Sequence, residues 1–140
     1  MKDGAKVLIR DNQEKILVLY RSETHPYFPH DIDLPGGEIE LDETSEQGLI
    51  REIFEETGLN IKIVPGDKVY SWKSFSGSEN YLYEVTIPAD FNIKISWEHE
   101  SYEWISDDEL INKSAEDEFM YRVKQFLSKK HSGEPEKSVA

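Results

Sequence analysis

Apolar and polar positions alternate near the start of the chain. Ala5, Val7 and Ile9 fall on one face of a strand predicted over residues 5–10. A polar turn, Asp11-Asn12-Gln13-Glu14, follows. The run Ile16-Leu17-Val18-Leu19-Tyr20 then puts apolar side chains on both faces of a second strand over 15–21. A strand apolar on both faces belongs inside a sheet covered on both sides, and the two strands can pair as a hairpin. Residues 22–33 show no periodicity and contain Pro26 and Pro29. The pattern next changes to helical spacing over 44–57, where Leu49, Ile50, Ile53 and Phe54 form a stripe. Thr44 with Gln47 fits a capping box, and Gly58 fits a left-handed C-terminal cap. Gly48 sits inside this helix, at a cost of about 1 kcal/mol relative to Ala.

Three further strands are predicted over 59–64, 68–75 and 81–87, and a short one over 102–105. Ser106 can cap a helical turn at 107–111. A last helix is expected over 115–130, with Phe119, Val123, Phe126 and Leu127 on one side. The order of strands, helix, strands and helix predicts an α/β fold, a mixed sheet sandwiched by helices. One domain over residues 1–130 accounts for the pattern. Residues 131–140 are polar, include Gly133 and Pro135, and are expected to form a disordered tail.

Composition narrows the function. Lys and Arg total 16 against 29 Asp and Glu, a net charge of −13. That balance argues against a nucleic-acid partner, which selects a basic face. An anionic substrate would also be repelled unless divalent cations stood between it and the carboxylates. There is no Cys, which excludes disulfides, thiolate metal sites and Cys nucleophiles. The start, Met1-Lys2-Asp3-Gly4, has no apolar signal region, and no apolar run approaches the roughly 20 residues of a membrane span. A cytoplasmic protein without membrane contact is expected.

Chemistry concentrates in residues 37–59. Glu52, Glu55 and Glu56 stand at i, i+3 and i+4 and share one helix face. Alone they repel one another, but hard cations that take oxygen ligands would make the arrangement favourable. Arg51 can pair with Glu55 along the helix, and Glu43, two turns back, can reach the same guanidinium. Gly36-Gly37 just ahead allows main chain to approach a ligand closely. His25 and His30 have no third ligand at suitable spacing and are read as solvated loop residues. Tyr27, Phe28, Trp72, Phe75, Tyr81 and Tyr83 are candidates for stacking on a base, although each alone is better explained as core.

From Gly37 the chain reads five residues, Glu43, seven residues, then Arg51-Glu52-Ile53-Phe54-Glu55-Glu56-Thr57-Gly58-Leu59. Every fixed position of the Nudix box is present, and the chain resembles that family. The resemblance implies an α/β/α sandwich and hydrolysis of a nucleoside diphosphate linked to another group. It implies Mg²⁺, with Mn²⁺ as the alternative, held by Glu52, Glu55, Glu56 and the Gly37 carbonyl. Arg51 and Glu43 would orient the catalytic helix. The general base would be Glu55 or Glu52, with Glu98 the alternative outside the box and Glu100 behind it.

Among the family's substrates, the proline typical of ADP-ribose hydrolases is missing near Phe75. Residues 22–35 also lack the upstream motif of coenzyme A hydrolases. A MutT-like nucleoside triphosphate pyrophosphohydrolase is therefore expected. The alternatives are a hydrolase of ADP-ribose, nucleotide sugars or dinucleoside polyphosphates, an idle nucleotide sensor, and an acidic interaction module. A homodimer is compatible with a domain of this size.

Overall fold

The computed structural model describes residues 2–88 and 92–133. Among these, seven strands form one mixed sheet: β1 (Gly4–Arg10), β2 (Ile16–Arg21), β3 (Ile32–Asp33), β4 (Gly36–Glu38), β5 (Lys68–Lys73), β6 (Glu79–Thr86) and β7 (His99–Ile105). The helices are α1 (Ser45–Thr57), α2 (Asp107–Asn112) and α3 (Glu118–Ser132). β1 runs parallel to β6 along its whole length, and β5 closes a hairpin on β6. β2 is antiparallel to β7.

The expected β1–β2 hairpin forms, but its register contains a single pair, Arg10 with Ile16. Beyond it the two strands part. The split is filled by the short segment that follows the proline-rich loop: β3 pairs with β2 at Leu19 and Tyr20, and β4 pairs with β1 from Gly4 to Lys6. These two strands lie in or next to a stretch whose prolines and glycines gave no strand pattern. Their pairing carries Gly36 and Gly37 into the middle of the sheet.

Both faces of the sheet are covered, which confirms the sandwich. One face packs Ala5, Val7, Ile9, Leu17, Leu19 and Tyr83 against Leu49 and Ile53 of α1. The other packs Leu8, Ile16, Val18 and Leu82 against Phe119, Met120, Val123, Phe126 and Leu127 of α3 and Leu110 of α2. Each such aliphatic side chain contributes about 1.5–3 kcal/mol when fully buried.

Three expectations need correction. Residues 59–64 are not a strand. Leu59, Ile61 and Ile63 alternate into the core as a strand would, but among the described residues no ladder joins this segment to the sheet. Phe54 leaves the predicted stripe and is exposed. The buried line of α1 is Leu49, Ile53 and Glu56 instead, at i, i+4 and i+7. Finally, α3 continues through His131 and Ser132 to a left-handed Gly133, so the helix takes the first two residues of the expected tail. Residues 134–140 lie outside the described residues.

Candidate active site

The helix α1 is set by its ends. Thr44 accepts from the Gln47 N–H at 3.1 Å, while the Gln47 side chain accepts from the Thr44 N–H at 2.9 Å. Gly58, at φ 75°, donates back to the Phe54 carbonyl at 2.9 Å. Gly48 has a packing reason. A Cβ there would lie 3.1 Å from a Glu43 oxygen and 3.3 Å from Ile39. The absent side chain lets the 39–43 segment close over the helix and brings Glu43 to Arg51.

Arg51 is the centre of the exposed side of the site. Its guanidinium donates to both Glu43 oxygens, at 2.7 and 2.9 Å, to Glu52 at 3.0 Å and to Glu55 at 3.1 Å. It also donates to the Glu38 carbonyl. This pairing holds the Glu43 carboxyl down at about 2. The three glutamates share a helix face, as their spacing requires, but their carboxylates have different surroundings. Glu55 is half-exposed. Glu52 is half-buried beside Gly37, where a Cβ would lie 2.9 Å from its carboxylate. Burial, and the charges of Glu55 and Glu98, push the Glu52 carboxyl up against the pull of Arg51. Glu56 is buried and accepts the Gly36 N–H at 2.8 Å. Burial raises its carboxyl well above the ordinary range. Among the described residues, no three acidic or imidazole side chains converge tightly enough to form a ready-made metal cage.

Glu98 comes from the turn before β7 and joins Glu52, Glu55 and Glu56 along one cleft of about 380 Å³, which Gly37 also lines. Glu100 does not line it and pairs with His30 at 2.9 Å. His30 is solvated, as expected, but His25 is not. Its side chain is largely buried, and its Nε2 stands 3.9 Å from Glu98. Burial and the nearby Arg21 hold the His25 imidazole below its usual pKa.

Behind the carboxylates lies a buried knot of charge that sequence reading did not find. Asp33 accepts from Lys6 at 2.5 Å, from Arg21 at 3.2 Å and from the Leu34 N–H at 2.8 Å, and His99 Nε2 is 3.3 Å away. The neighbouring cations hold the Asp33 carboxyl far below the usual carboxylate range despite its burial. The one available signal was parity. With Val7 and Ile9 facing one helix layer, Lys6 must face the other, where a lone charge needs a partner.

Lys6, Arg21, His25, Tyr27 and Gly37 also line a second cavity of about 510 Å³, so the two form lobes of one cleft. Phe28, Trp72, Asn80 and Phe119 line this second lobe. Of the six aromatic candidates, Tyr83 is core. Trp72 is buried and touches the lobe, while Tyr27 and Phe28 are exposed at its rim. Phe75 was favoured as core but is fully exposed in the β5–β6 turn.

A family model, the NUDIX domain, matches residues 2–127. The chain is 30% identical over 112 residues to a MutT-like protein of Streptomyces ambofaciens, covering 80% of this chain and 68% of the relative. The fold is similar to that of the MutT protein of Methanosarcina mazei Go1, with TM-score 0.74 and 25% identity over 93% of this chain and 94% of that one. It is also similar to a C. elegans Ap4A hydrolase, with TM-score 0.66 and 20% identity over 94% and 99% of the two chains. With the complete box on α1 and that family model spanning nearly its whole length, this chain belongs to the Nudix family of pyrophosphohydrolases, which generally use divalent metal ions.

Proposed function

We propose that this chain hydrolyses a nucleoside triphosphate to the monophosphate and pyrophosphate, using Mg²⁺. One observation carries the reading. The cleft joins a lobe that holds Glu52, Glu55, Glu56 and Glu98 to a lobe with aromatic walls, with the cations Lys2, Lys6 and Arg21 on the surface they share. A triphosphate is favoured among the family's substrates by a relative 29% identical over 103 residues, a putative 8-oxo-dGTP diphosphatase of Bacillus subtilis.

The donors suit a hard divalent cation. All are oxygens, and Glu52 and Glu56 are carboxylates whose ionised forms burial and neighbouring carboxylates disfavour. A cation would relieve that strain. Gly37 has no side chain to fill the space beside Glu52. Glu52, Glu55, Glu56 and the Gly37 carbonyl would hold the metal, which would neutralise phosphate charge and polarise the phosphoryl group. Arg51 and Glu43 keep α1 and its carboxylates in register. In the reaction, a water oxygen bonds to phosphorus, and the bridging oxygen leaves with the electron pair as pyrophosphate. The water proton passes to a carboxylate, Glu55 or Glu52, with Glu98, from the turn before β7, as the alternative.

The test is turnover with Mg²⁺ or Mn²⁺ across nucleoside triphosphates, ADP-ribose, nucleotide sugars and dinucleoside polyphosphates. Triphosphates should yield pyrophosphate, and Glu56→Gln should lower kcat on the order of 10²–10³-fold. Preference for another substrate class would replace the triphosphate reading. Undiminished turnover by Glu56→Gln would remove Glu56 from the site.

A further inference from the structure

We infer that Lys6 is a substrate-contacting residue, its ammonium receiving the phosphate nearest the nucleoside. This rests on the nucleotide reading above and names a residue outside the acidic helix. Lys6 is on β1, on the same face as Leu8, which is fully buried against the α3 layer. An apolar residue would be the ordinary occupant of such a position. A buried ammonium there costs several kcal/mol unless it is paired. The fold supplies the partner, Asp33, and keeps the pair accessible, since the Lys6 side chain retains 13% exposure.

The pairing is incomplete from the side of Lys6. An ammonium carries three N–H donors. Among the described residues, Asp33 is the one hydrogen-bond acceptor of Lys6. Asp33 does not depend on Lys6 alone for neutralisation, because the Arg21 guanidinium lies 3.2 Å away. Arg21 is already engaged by Asp33, by the Tyr27 carbonyl at 2.9 Å and by Asp117 at 3.7 Å, and it is 4% exposed. Lys2 also lines both lobes, but it is exposed and paired with Glu40. Lys6 is thus the cation of the cleft that is rigidly held yet keeps donors to give.

Its position selects the group it would meet. Lys6 lines both lobes. On one side, Glu56 lies close enough to act on its charge. On the other, its ammonium lies 5.9 Å from the centre of the Phe119 ring. A nucleotide with its reacting anhydride at the carboxylates and its base in the aromatic lobe must lay its innermost phosphate across Lys6. A fixed cation there offsets the repulsion of the acidic lobe and forms a charge-assisted hydrogen bond. Gly36 lets β4 pair closely beside Lys6, since a Cβ on it would lie 2.2 Å from the Ala5 carbonyl oxygen and 2.6 Å from Lys6 Cα.

The experiment titrates AMP, GMP, CMP and UMP, and the four matching nucleosides, into the protein in EDTA and reads affinity by calorimetry. At least one monophosphate should bind more tightly than its nucleoside. Lys6→Met should weaken that monophosphate roughly ten- to hundredfold and leave the nucleoside within about twofold. Lys6→Arg should recover part of the loss. Should Lys6→Met fail to fold, Lys6→Gln is read in the same way. Monophosphates that bind no better than nucleosides, or not at all, overturn the contact. Equal weakening of both ligands by Lys6→Met also overturns it, because packing alone does that. A protein that shows the Lys6 pattern but turns over no triphosphate would sink the triphosphate reading and leave this contact standing.

Discussion

The cleft contains two charged clusters built in opposite ways. The Arg51 fan draws its side-chain partners from Glu43, Glu52 and Glu55, all within thirteen consecutive residues, and it sits half-exposed on α1. The Asp33 knot draws Lys6 from β1, Arg21 from β2, Asp33 from β3 and His99 from β7, and it is nearly closed to water. Solvent screens the first, so its contacts contribute little to folding and its carboxylates can rearrange around a cation. The second is desolvated, so removing Asp33, the anion its cations share, leaves Lys6 with a buried charge and no acceptor. A single site thus combines a cluster that can move with one that cannot. The movable one carries the motif.

The largest effect should come from breaking the knot. Asp33→Asn leaves Lys6 short of its acceptor and is expected to destabilise the fold by about 3 kcal/mol, read from urea unfolding at neutral pH. The loss should depend on pH. The folded-state pKa of Asp33 is depressed, so its contribution is complete above the unfolded value near 4 and declines as pH falls below that. The difference in unfolding free energy between parent and variant should be flat from pH 8 to about 5 and shrink below about 4. A difference that grew on acidification would contradict the assigned pairing.

The fan should answer in activity instead. Arg51→Lys keeps the charge but loses the fork that grips both Glu43 oxygens. It is expected to lower kcat/KM about 10- to 100-fold, with stability changing by under about 1 kcal/mol. A variant that lost stability and kept its activity would reverse the roles of the two clusters. Thr44→Ala removes one half of the capping box at the start of α1 and should cost about 1 kcal/mol in thermal or urea unfolding. Phe75→Ser, in a fully exposed turn, should stay within about 0.5 kcal/mol of the parent in the same assay. A larger change there would mean that the turn packs against something.

The acidic helix was readable because its information is local. Thr44 and Gln47 cap it, Gly58 ends it, and the 3.6-residue period alone brings Glu52, Glu55 and Glu56 to one side and Arg51 within reach of Glu43 and Glu55. The alternation of Ala5, Val7 and Ile9 and the doubly apolar β2 likewise foretold a sheet covered on both faces. Where the pattern misled, the missing information was a neighbour. Residues 59–63 alternate like a strand but find no ladder, and Ile32–Asp33 and Gly36–Glu38 lack a strand pattern but find one in the split between β1 and β2.

What the chain determined by itself, then, is the acidic helix, the two-layer core and the Nudix box, since capping, periodicity and motif spacing act within a few turns of one segment. What the tertiary structure alone decided is the company those residues keep. It brought Glu98 rather than Glu100 to the carboxylates, turned His25 inward, buried Glu56, and assembled Lys6, Arg21, Asp33 and His99 from four strands. The reason is physical. A buried charge is tolerable only beside its partner, and partners distant in sequence meet only when the sheet has closed.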